Sequence, residues 1–345
     1  MLAYVYTESG QLELMDMPKP AAKPGSVIIK VNAASICGTD FRTYVNGSQK
    51  IQPGTIIGHE ASGTIVEIGS NVKGYQIGDR LQTAPAIGCG ECRYCLGGHT
   101  NMCDSLKTIG WEFPGVFAEY AEIPELAFKT GNVTKVADSI SDEESALAEP
   151  IACVQNSHEF LNIHAGDIVA VFGSGFIGCM HAELSYAAGA EKVIMLEVSD
   201  LRINEAKRLV QGAEAMNTAK IDLVPAIMAM TRNRGVDVAI TACSAGKAHV
   251  DAFNIIAKRG RISLFGGLPG DGRGFVDSNA IHYKELSVFG VHASTEAQNR
   301  KVLSMIEKRQ IDVKKYISQI FPLADIELAF EGIKRGELLK AVIKP

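Results

Sequence analysis

Residues 168–178 read IVAVFGSGFIG, five apolar residues followed by glycines at positions 173, 175 and 178. The apolar run is typical of a buried strand, and the G-x-G-x-x-G motif stands where this strand gives way to a helix. In such a motif Gly173 permits a tight turn, Gly175 lets a pyrophosphate approach the backbone, and Gly178 lets the helix pack closely on the strand. The stretch therefore predicts the first βαβ unit of a dinucleotide-binding domain.

The chain after residue 168 repeats this alternation of strands and helices. Helical stretches such as FIGCMHAELSYAAG, LRINEAKRLVQ, HVDAFNIIAKR and EAQNRKVLSMIEKR separate short apolar runs. The alternation predicts an α/β fold with a doubly wound parallel sheet, that is, a Rossmann domain. The predicted strands are IVAVF from Ile168, VIMLEV from Val193, VDVAIT from Val236, RISLFG from Arg261 and LSVFGV from Leu286.

Glu197 ends the second of these strands, at about the spacing at which dinucleotide-binding domains carry an acidic residue for the adenosine ribose. Because its charge repels a 2′-phosphate, we expect NAD rather than NADP as the cofactor. Arg202, in the next helix, either accommodates such a phosphate or covers the adenine face. Phe176 and Ile177 begin the helix whose N–H groups face the pyrophosphate, so they belong to the predicted cofactor site.

The first third of the chain has a different pattern, in which short apolar runs alternate with Gly and Pro. This pattern predicts a small β-rich domain, either a barrel or a sandwich. Short strands reappear in the C-terminal tail, which we expect to pair back onto that domain. The predicted boundaries are therefore 1–152 with 290–345 for the β-rich domain and 153–289 for the Rossmann domain. The predicted strands are SVIIKVNAA from Ser26, ASGTIVEIG from Ala61, DRLQTA from Asp79 and FAEYAEI from Phe117.

Four cysteines stand within fifteen residues in the pattern C-x2-C-x2-C-x7-C: Cys89, Cys92, Cys95 and Cys103. Four thiolates at such short spacing can close a tetrahedron around Zn²⁺, and ferredoxin clusters use a different spacing. The pattern therefore predicts a structural zinc rather than an iron–sulfur cluster or four free thiols.

Composition excludes several classes of function. The 345 residues are 46% hydrophobic and carry 34 basic and 39 acidic side chains, for a net charge of −5. This composition is that of a folded protein, and the charges form no basic stripe, so we expect neither a nucleic acid nor a membrane as partner. The N-terminal segment lacks the pattern of a secretory signal, and no apolar run is long enough to cross a membrane. We therefore expect a cytoplasmic protein.

Three further motifs carry a family resemblance: Cys37-Gly38-Thr39-Asp40, Gly58-His59-Glu60 and Gly78-Asp79-Arg80. Together with the four-cysteine segment, they resemble the zinc-containing medium-chain alcohol and polyol dehydrogenases over nearly the whole chain. The run HEASG and the pair Glu149-Pro150 are most similar to the sorbitol dehydrogenase branch. The resemblance implies a GroES-like catalytic domain, one catalytic and one structural zinc per chain, NAD, and a homodimer or homotetramer.

Cys37 and His59 are a thiolate and an imidazole, a pair suited to zinc, and Glu60 and Glu149 are candidate oxygen ligands. One thiolate and one carboxylate make the zinc site formally neutral and leave a position for an alcohol, whose pKa the metal lowers before hydride moves to nicotinamide. Which of the two glutamates binds at rest stays open. The resemblance implies that Thr39 passes the alcohol proton outward.

The sequence departs from the family at two positions. Arg42 stands where the family often has a His, and a guanidinium cannot accept a proton at neutral pH. His292 stands near the position where sorbitol dehydrogenases tend to carry an Arg, and it is either part of the site or a surface residue. The resemblance also places Gly266 and Val291 near the nicotinamide.

The sequence thus predicts a zinc-dependent and NAD-dependent dehydrogenase that oxidises a secondary alcohol of a small-molecule polyol or polyol phosphate to a ketose. An L-threonine-type dehydrogenase of amino alcohols or hydroxy acids is the alternative within the same family. A non-catalytic NAD-binding redox sensor is the alternative from a different class.

Overall fold

The computed structural model describes residues 1–8, 10–270, 272 and 274–345. The chain divides into two compact units: Met1–Ala152 with Ala293–Pro345, and Cys153–His292. The sequence analysis predicted the same first boundary, after residue 152, and placed the start of the second segment at 290 instead of 293.

Strands and helices follow one another in chain order, and short 3-10 turns stand at Thr100–Met102, Lys314–Tyr316 and Leu323–Asp325. The strands are β1 (Leu2–Tyr6), β2 (Leu12–Asp16), β3 (Val27–Ser35), β4 (Thr55–Ile56), β5 (Glu60–Ile68), β6 (Arg80–Thr83), β7 (Ala86–Ile87), β8 (Lys107–Thr108), β9 (Tyr120–Ile123), β10 (Val133–Lys135), β11 (Ile168–Phe172), β12 (Lys192–Glu197), β13 (Glu214–Asn217), β14 (Val236–Thr241), β15 (Ile256–Leu264), β16 (Ser287–Gly290), β17 (Gln319–Pro322) and β18 (Ala341–Lys344). The helices are α1 (Gly38–Asn46), α2 (Arg93–Leu96), α3 (Glu125–Lys129), α4 (Asp142–Ala146), α5 (Ala148–Leu161), α6 (Phe176–Ala187), α7 (Asp200–Leu209), α8 (Leu223–Met230), α9 (Gly246–Ile255), α10 (Ser278–Lys284), α11 (Glu296–Glu307) and α12 (Ile326–Lys334).

The first unit is built on a seven-stranded sheet in which β10, β6, β5, β3, β18 and β17 are successive neighbours and β9 also pairs with β3. Only β17 and β18 run parallel; the other pairs are antiparallel. Strand β18, at the end of the chain, adds to β3, so the tail returns to the first domain as predicted. The buried aromatic residues Tyr4, Phe117 and Phe330 lie in the core that this sheet covers.

The second unit has six parallel strands in the order β13-β12-β11-β14-β15-β16. This is the strand order of a doubly wound dinucleotide-binding fold. The predicted α/β class and the predicted Rossmann domain are therefore confirmed. Strand β11 is buried along its whole length, which explains why its sequence is apolar without alternation.

The structure corrects two details of the predicted elements. Strand β13 and helix α8 were absent from the prediction, because EAMN is short with one buried residue in four, and LVPAIMAM is apolar throughout and lacks the polar face of an amphipathic helix. The predicted helix HVDAFNIIAKR is too long: α9 ends at Ile255, and β15 starts at Ile256, which pairs with Val236 before a register shift. A run of buried apolar residues fits either a helix or a strand, so its pattern could not locate this boundary.

His181 lies in α6 and is fully buried, and neither ring nitrogen has a hydrogen-bond partner among the described residues. Its ring stacks on His158 and meets the edge of Phe265. Burial, followed by the nearby His158, lowers the pKa of His181 well below 6.5. The folded chain therefore holds a neutral imidazole there, whereas the unfolded chain takes up a proton below about pH 6.5.

This difference predicts an acid-dependent loss of stability. As the pH falls from 7 to 5, protonation of His181 in the unfolded chain should lower the free energy of unfolding by roughly 1 kcal/mol per pH unit below 6.5. The His181→Leu variant should lose about 1–2 kcal/mol less than the wild type between these two pH values, measured by urea unfolding. The exposed His282 supplies the control, since His282→Leu should follow the wild type; equal acid sensitivity of all three chains would contradict the assignment.

Candidate metal centres and dinucleotide site

Cys37 is placed by a helix cap at the end of β3. It is the N-cap residue of α1: its sulfur accepts a hydrogen bond from the N–H of Thr39 at 3.4 Å. The Asp40 carboxylate accepts one from the N–H of Cys37 at 3.0 Å, which completes a capping box. The cap fixes the direction of the sulfur before any metal binds.

His59 and Glu60 stand at the start of β5, directly after Gly58. This glycine has a backbone conformation that other residues rarely adopt. Gly58 has φ +91°, and a Cβ atom there would lie 2.8 Å from the ring of Phe117. Glu60 is the first residue of β5 and faces Ser35, the last residue of β3. The pairing of these two strands therefore brings the segment around His59 next to Cys37.

One ligand atom from each of Cys37, His59 and Glu60 lies within 4.8 Å of the other two. A thiolate, an imidazole and a carboxylate are a donor set that zinc binds in catalytic sites. Glu149 is buried at the start of α5 and is not part of this group of atoms in the described chain. Its role as the alternative carboxylate ligand stays a prediction.

The cluster carries excess negative charge. The Nδ1 atom of His59 lies 3.5 Å from the Asp40 carboxylate, an ion-pair distance rather than a good hydrogen bond. Burial alone would lower the pKa of His59, but the charges of Asp40 and Cys37 outweigh it and raise that pKa well above 6.5. Surroundings that stabilise a proton on a buried imidazole also favour a divalent cation, so the three side chains fit a zinc ion.

The sequence analysis gave Asp40 no role, although its motif was quoted. Its side chain is 3% exposed and contacts both predicted ligands, Cys37 through the backbone and His59 through the ring. A carboxylate beside a metal-binding histidine commonly orients the ring. The spacing C-x2-D, read as a capping box, was the available signal.

Thr39 is followed one helical turn later by Arg42, whose Nη2 atom donates to the Thr39 hydroxyl oxygen at 2.8 Å. Arg42 is exposed, and no carboxylate of the described chain forms an ion pair with it. The structure therefore places an uncompensated positive charge beside the hydroxyl that was predicted to receive the alcohol proton. His292 is exposed, and its carbonyl accepts a hydrogen bond from Asn156; its role stays a prediction.

The four cysteines of the segment 89–103, called the cysteine lobe below, form the second group of metal-ligand atoms. Their sulfur separations include 3.6 Å for Cys92 and Cys95, 3.8 Å for Cys92 and Cys103, and 4.0 Å for Cys89 and Cys95. A zinc ion about 2.3 Å from each sulfur of a tetrahedron holds the sulfurs about 3.8 Å apart. The geometry fits a closed structural zinc site.

Backbone N–H groups stabilise thiolates in this lobe. The Cys103 sulfur accepts from the N–H groups of Cys89 and Ser105, at 3.2 and 3.3 Å. Hydrogen bonds, chiefly from the backbone at Cys95, lower the pKa of the Cys92 thiol to about 6. Burial raises the pKa of the neighbouring Cys95 thiol to about 12, so without a metal it is Cys92, and not Cys95, that favours the deprotonated sulfur a metal requires.

The glycine motif forms the predicted cradle at the start of α6. Gly173 has φ +102°, and a Cβ atom at Gly178 would lie 1.9 Å from the Gly173 carbonyl oxygen, so each of these positions requires glycine. Gly175 caps α6 and is exposed, and a Cβ atom there would enter open space. Phe176 is buried and Ile177 half-buried, and both stand in the first turn of α6, next to the cradle. The arrangement fits a pyrophosphate at the helix N-terminus.

Glu197 is held at the end of β12 by backbone donors. Its Oε2 atom accepts from Ser174 N–H at 2.8 Å, and its Oε1 atom from Val198 and Ser199 N–H at 2.7 and 3.1 Å. The carboxylate is thereby fixed beside the glycine cradle. Arg202 pairs with Glu205 at 2.6 Å.

The two weaker cofactor candidates lie on the same unit. Gly266 follows β15, and a Cβ atom there would lie 2.4 Å from the carbonyl oxygen of Cys243, so close backbone packing requires this glycine. Val291 follows β16 and is half-buried. Their contact with nicotinamide stays a prediction.

A Rossmann unit with an anion cradle, together with one open and one closed set of zinc ligands, defines a class: zinc-dependent and dinucleotide-dependent oxidoreductases. Comparison with known proteins agrees. Residues 23–132 match the alcohol dehydrogenase GroES-like domain, and residues 177–308 match the zinc-binding dehydrogenase family. L-Threonine 3-dehydrogenase of Yersinia pestis (strain Pestoides F) is 31% identical over 96% of this chain and 95% of its own. The chain belongs to the zinc-containing medium-chain alcohol dehydrogenases.

Two solved structures have the same architecture. The 2R,3R-butanediol dehydrogenase of Bacillus subtilis is 28% identical, with a TM-score of 0.89 over 100% of this chain and 99% of that one. A zinc-binding dehydrogenase of Sinorhizobium meliloti 1021, bound to NADP, is 26% identical, with a TM-score of 0.91 over 100% and 99%. The predicted family and the enzyme class, acting on CH–OH groups, are therefore confirmed. Among the helices of the described residues, none is both long and apolar enough to cross a membrane.

The two donor sets predict the metal content of the protein. The wild type should bind two zinc ions per chain, whereas His59→Ala and Cys92→Ala should each bind one, because each variant removes a ligand from a different group. Elemental analysis of purified protein measures this content. Cys243→Ala is the control, because Cys243 lies in neither group and its loss should leave two zinc ions. Two zinc ions in His59→Ala would contradict the assignment of the first site.

Proposed function

We propose that the protein oxidises a secondary alcohol of a polyol or polyol phosphate to a ketose, with NAD as the hydride acceptor. The observation that carries the proposal is the cluster of the half-buried Cys37 and His59 with the buried Glu60, with Thr39 adjacent to the sulfur. An intact cluster of this kind favours the enzyme over the alternative of a non-catalytic sensor.

The side chains have separable tasks in this reaction. Cys37, His59 and Glu60 would hold zinc, which when bound lowers the pKa of the substrate hydroxyl. Asp40 orients the His59 ring. The Thr39 hydroxyl would take up the substrate proton. Arg42 donates to the Thr39 oxygen, but its guanidinium is already protonated at neutral pH and cannot take the proton further. The proton acceptor beyond Thr39 would therefore be a group other than Arg42, such as water.

The substrate class follows from two lines of support. Polyols, 2,3-butanediol and threonine are all secondary alcohols with a hydroxyl or amino group on the neighbouring carbon, and relatives named for the last two match most of this chain. The uncompensated guanidinium of Arg42 beside Thr39 favours a substrate that also carries an anion. A polyol phosphate meets both conditions. L-Threonine, with its carboxylate, also meets both and is the second candidate.

We further infer a homodimer or homotetramer. Strand β16 is an edge strand of its sheet, so one side of its backbone is open to pairing. Exposed apolar side chains stand nearby in sequence, with Val276 53% and Tyr283 77% exposed. An open edge with exposed apolar neighbours favours association with a second copy.

A substrate panel tests the proposal. Polyols, polyol phosphates, L-threonine and simple alcohols are incubated with NAD, and NADH absorbance is recorded. We expect turnover of polyol phosphates, and Arg42→Leu should raise KM for an anionic substrate about tenfold or more while changing KM for a neutral polyol and for NAD little. Absence of turnover with every polyol and polyol phosphate would overturn the first candidate, and turnover of L-threonine alone would establish the second.

Glu197 predicts the choice of cofactor. Its fixed carboxylate should repel a 2′-phosphate, so the wild type should prefer NAD. Glu197→Ser should reduce the ratio of kcat/KM for NAD to that for NADP by about tenfold or more, which is about 1.4 kcal/mol. Glu197→Gln, which keeps an acceptor for the backbone donors, should shift the ratio in the same direction.

The control is Glu214→Ser, because Glu214 lies on the adjacent strand β13, opposite Ile194 rather than opposite Glu197. This variant should keep the wild-type ratio. Unchanged discrimination in both Glu197 variants would show that another group selects the cofactor.

A further inference from the structure

Lys340 forms a buried ion pair with Glu60, one of the predicted zinc ligands. Its Nζ atom lies 2.6 Å from the Oε2 atom of Glu60, and the two side chains are 5% and 0% exposed. A second hydrogen bond runs from Nζ to the carbonyl oxygen of Ile36 at 2.8 Å. Lysine is almost never fully buried without such partners, so this arrangement needs a reason.

The two oxygens of Glu60 have different surroundings. Oε2 receives the Lys340 ammonium and the Ser35 hydroxyl. Oε1 is buried and has no hydrogen-bond partner among the described residues. A buried acceptor without a partner is costly, and here one carboxylate oxygen lies within the group formed with Cys37 and His59. Oε1 is therefore the oxygen that remains for a metal ion.

The backbone holds Lys340 in this place. It directly precedes β18, whose Val342 pairs with Ser35 of β3, and Ser35 in turn faces Glu60 of β5. The carbonyl of Lys340 accepts a hydrogen bond from Ser318. The ammonium thus reaches Glu60 across three neighbouring strands, although 280 residues separate the two in the chain.

The charges have a direct consequence for metal binding. Without a metal, Lys340 compensates the buried carboxylate; with Zn²⁺ present, the ammonium shares that carboxylate with the ion and repels the ion. Lys340 therefore stabilises the metal-free site and weakens the bond that Glu60 can form. With Zn²⁺, the charges of Cys37, Asp40, Glu60 and Lys340 sum to zero, so the lysine also balances the site.

We propose that Lys340 is a positioning residue that commits one oxygen of Glu60, leaves the other as a weak zinc ligand, and so keeps Glu60 displaceable by a substrate oxygen. This inference rests on the proposed use of the Cys37, His59 and Glu60 cluster as the catalytic zinc site. It does not depend on which alcohol is the substrate.

The test is the zinc affinity of the purified protein in a chelator-buffered zinc series, with His59→Ala identifying which bound equivalent belongs to this site. Lys340→Met should bind that zinc about tenfold more tightly or better, because the metal-free form loses the ion pair and the ammonium no longer repels the bound ion. Lys340→Arg, which keeps the charge, should stay within about twofold of the wild type. Tighter binding supports the proposal, whereas equal or weaker binding by Lys340→Met overturns it.

Lys344→Met is the matched control, because Lys344 is the last residue of β18, the strand that follows Lys340, and it pairs with Glu143 at the surface of the site's unit. It should leave the affinity unchanged. In a Glu60→Gln background the effect of Lys340→Met should shrink to less than about threefold, since the lysine acts through that carboxylate. An effect that persists at full size would show that Lys340 does not act through Glu60 and would overturn the proposal.

Cobalt substitution supplies a spectroscopic readout that a purely structural lysine would not move. The visible bands of Co²⁺ at this site should differ between the wild type and Lys340→Met and agree between the wild type and Lys340→Arg. Identical spectra in all three would overturn the proposal.

Should Lys340→Met not fold, Lys340→Gln retains a neutral donor for Glu60 and Ile36 and carries the same expectations. Because no measurement uses a substrate, failure here is distinct from failure of the substrate assignment.

Discussion

The pairing of β3 with β5 is the constraint on which the metal centre depends. The register sets Ser35, the last residue of β3, against Glu60, the first residue of β5. After Ser35 the chain enters α1, with Cys37 as the N-cap residue. Before Glu60, Gly58 packs closely against the ring of Phe117. A shift of one residue would move Glu60 to the opposite face of the sheet and separate the ligands. The site is therefore as specific as the strand register.

Much of the fold could be predicted because its signals are local. The strand and glycine motif at 168–178 identified the Rossmann domain, and the spacing of Cys89, Cys92, Cys95 and Cys103 identified the lobe, since each set lies within one short segment. The boundary between α9 and β15 could not be predicted, because the buried run around Ile255 and Ile256 suits either element. At this boundary, the pairing of β15 with β14 determines where the helix ends and the strand begins. A local sequence pattern does not show which strand a segment pairs with.

The sequence could predict that Cys37, His59 and Glu60 come together, but not the charges that surround them. Cys37, His59 and Glu60 are residue types that commonly bind zinc, so the sequence draws attention to them. Asp40 and Lys340 are charged residues of common type, and only the fold shows that they are buried beside the cluster. Lys340 stands in the run LLKAVI of a tail that reads simply as a strand. Its partner Glu60 is 280 residues away, so only the addition of β18 to β3 brings the two charges together.

The two metal sites differ in how they depend on folding. The lobe sulfurs belong to one segment of fifteen residues with its own backbone donors, so metal binding there requires little of the rest of the chain. The other site needs the pairing of β3 with β5, and its charge balance needs β18 as well. A change that weakens the attachment of the C-terminal strand therefore acts on the charge balance of Glu60 as well as on the core, in which Ala341, Val342 and Ile343 are buried. The last strand of the chain thus belongs physically to the metal centre, although it contributes no ligand.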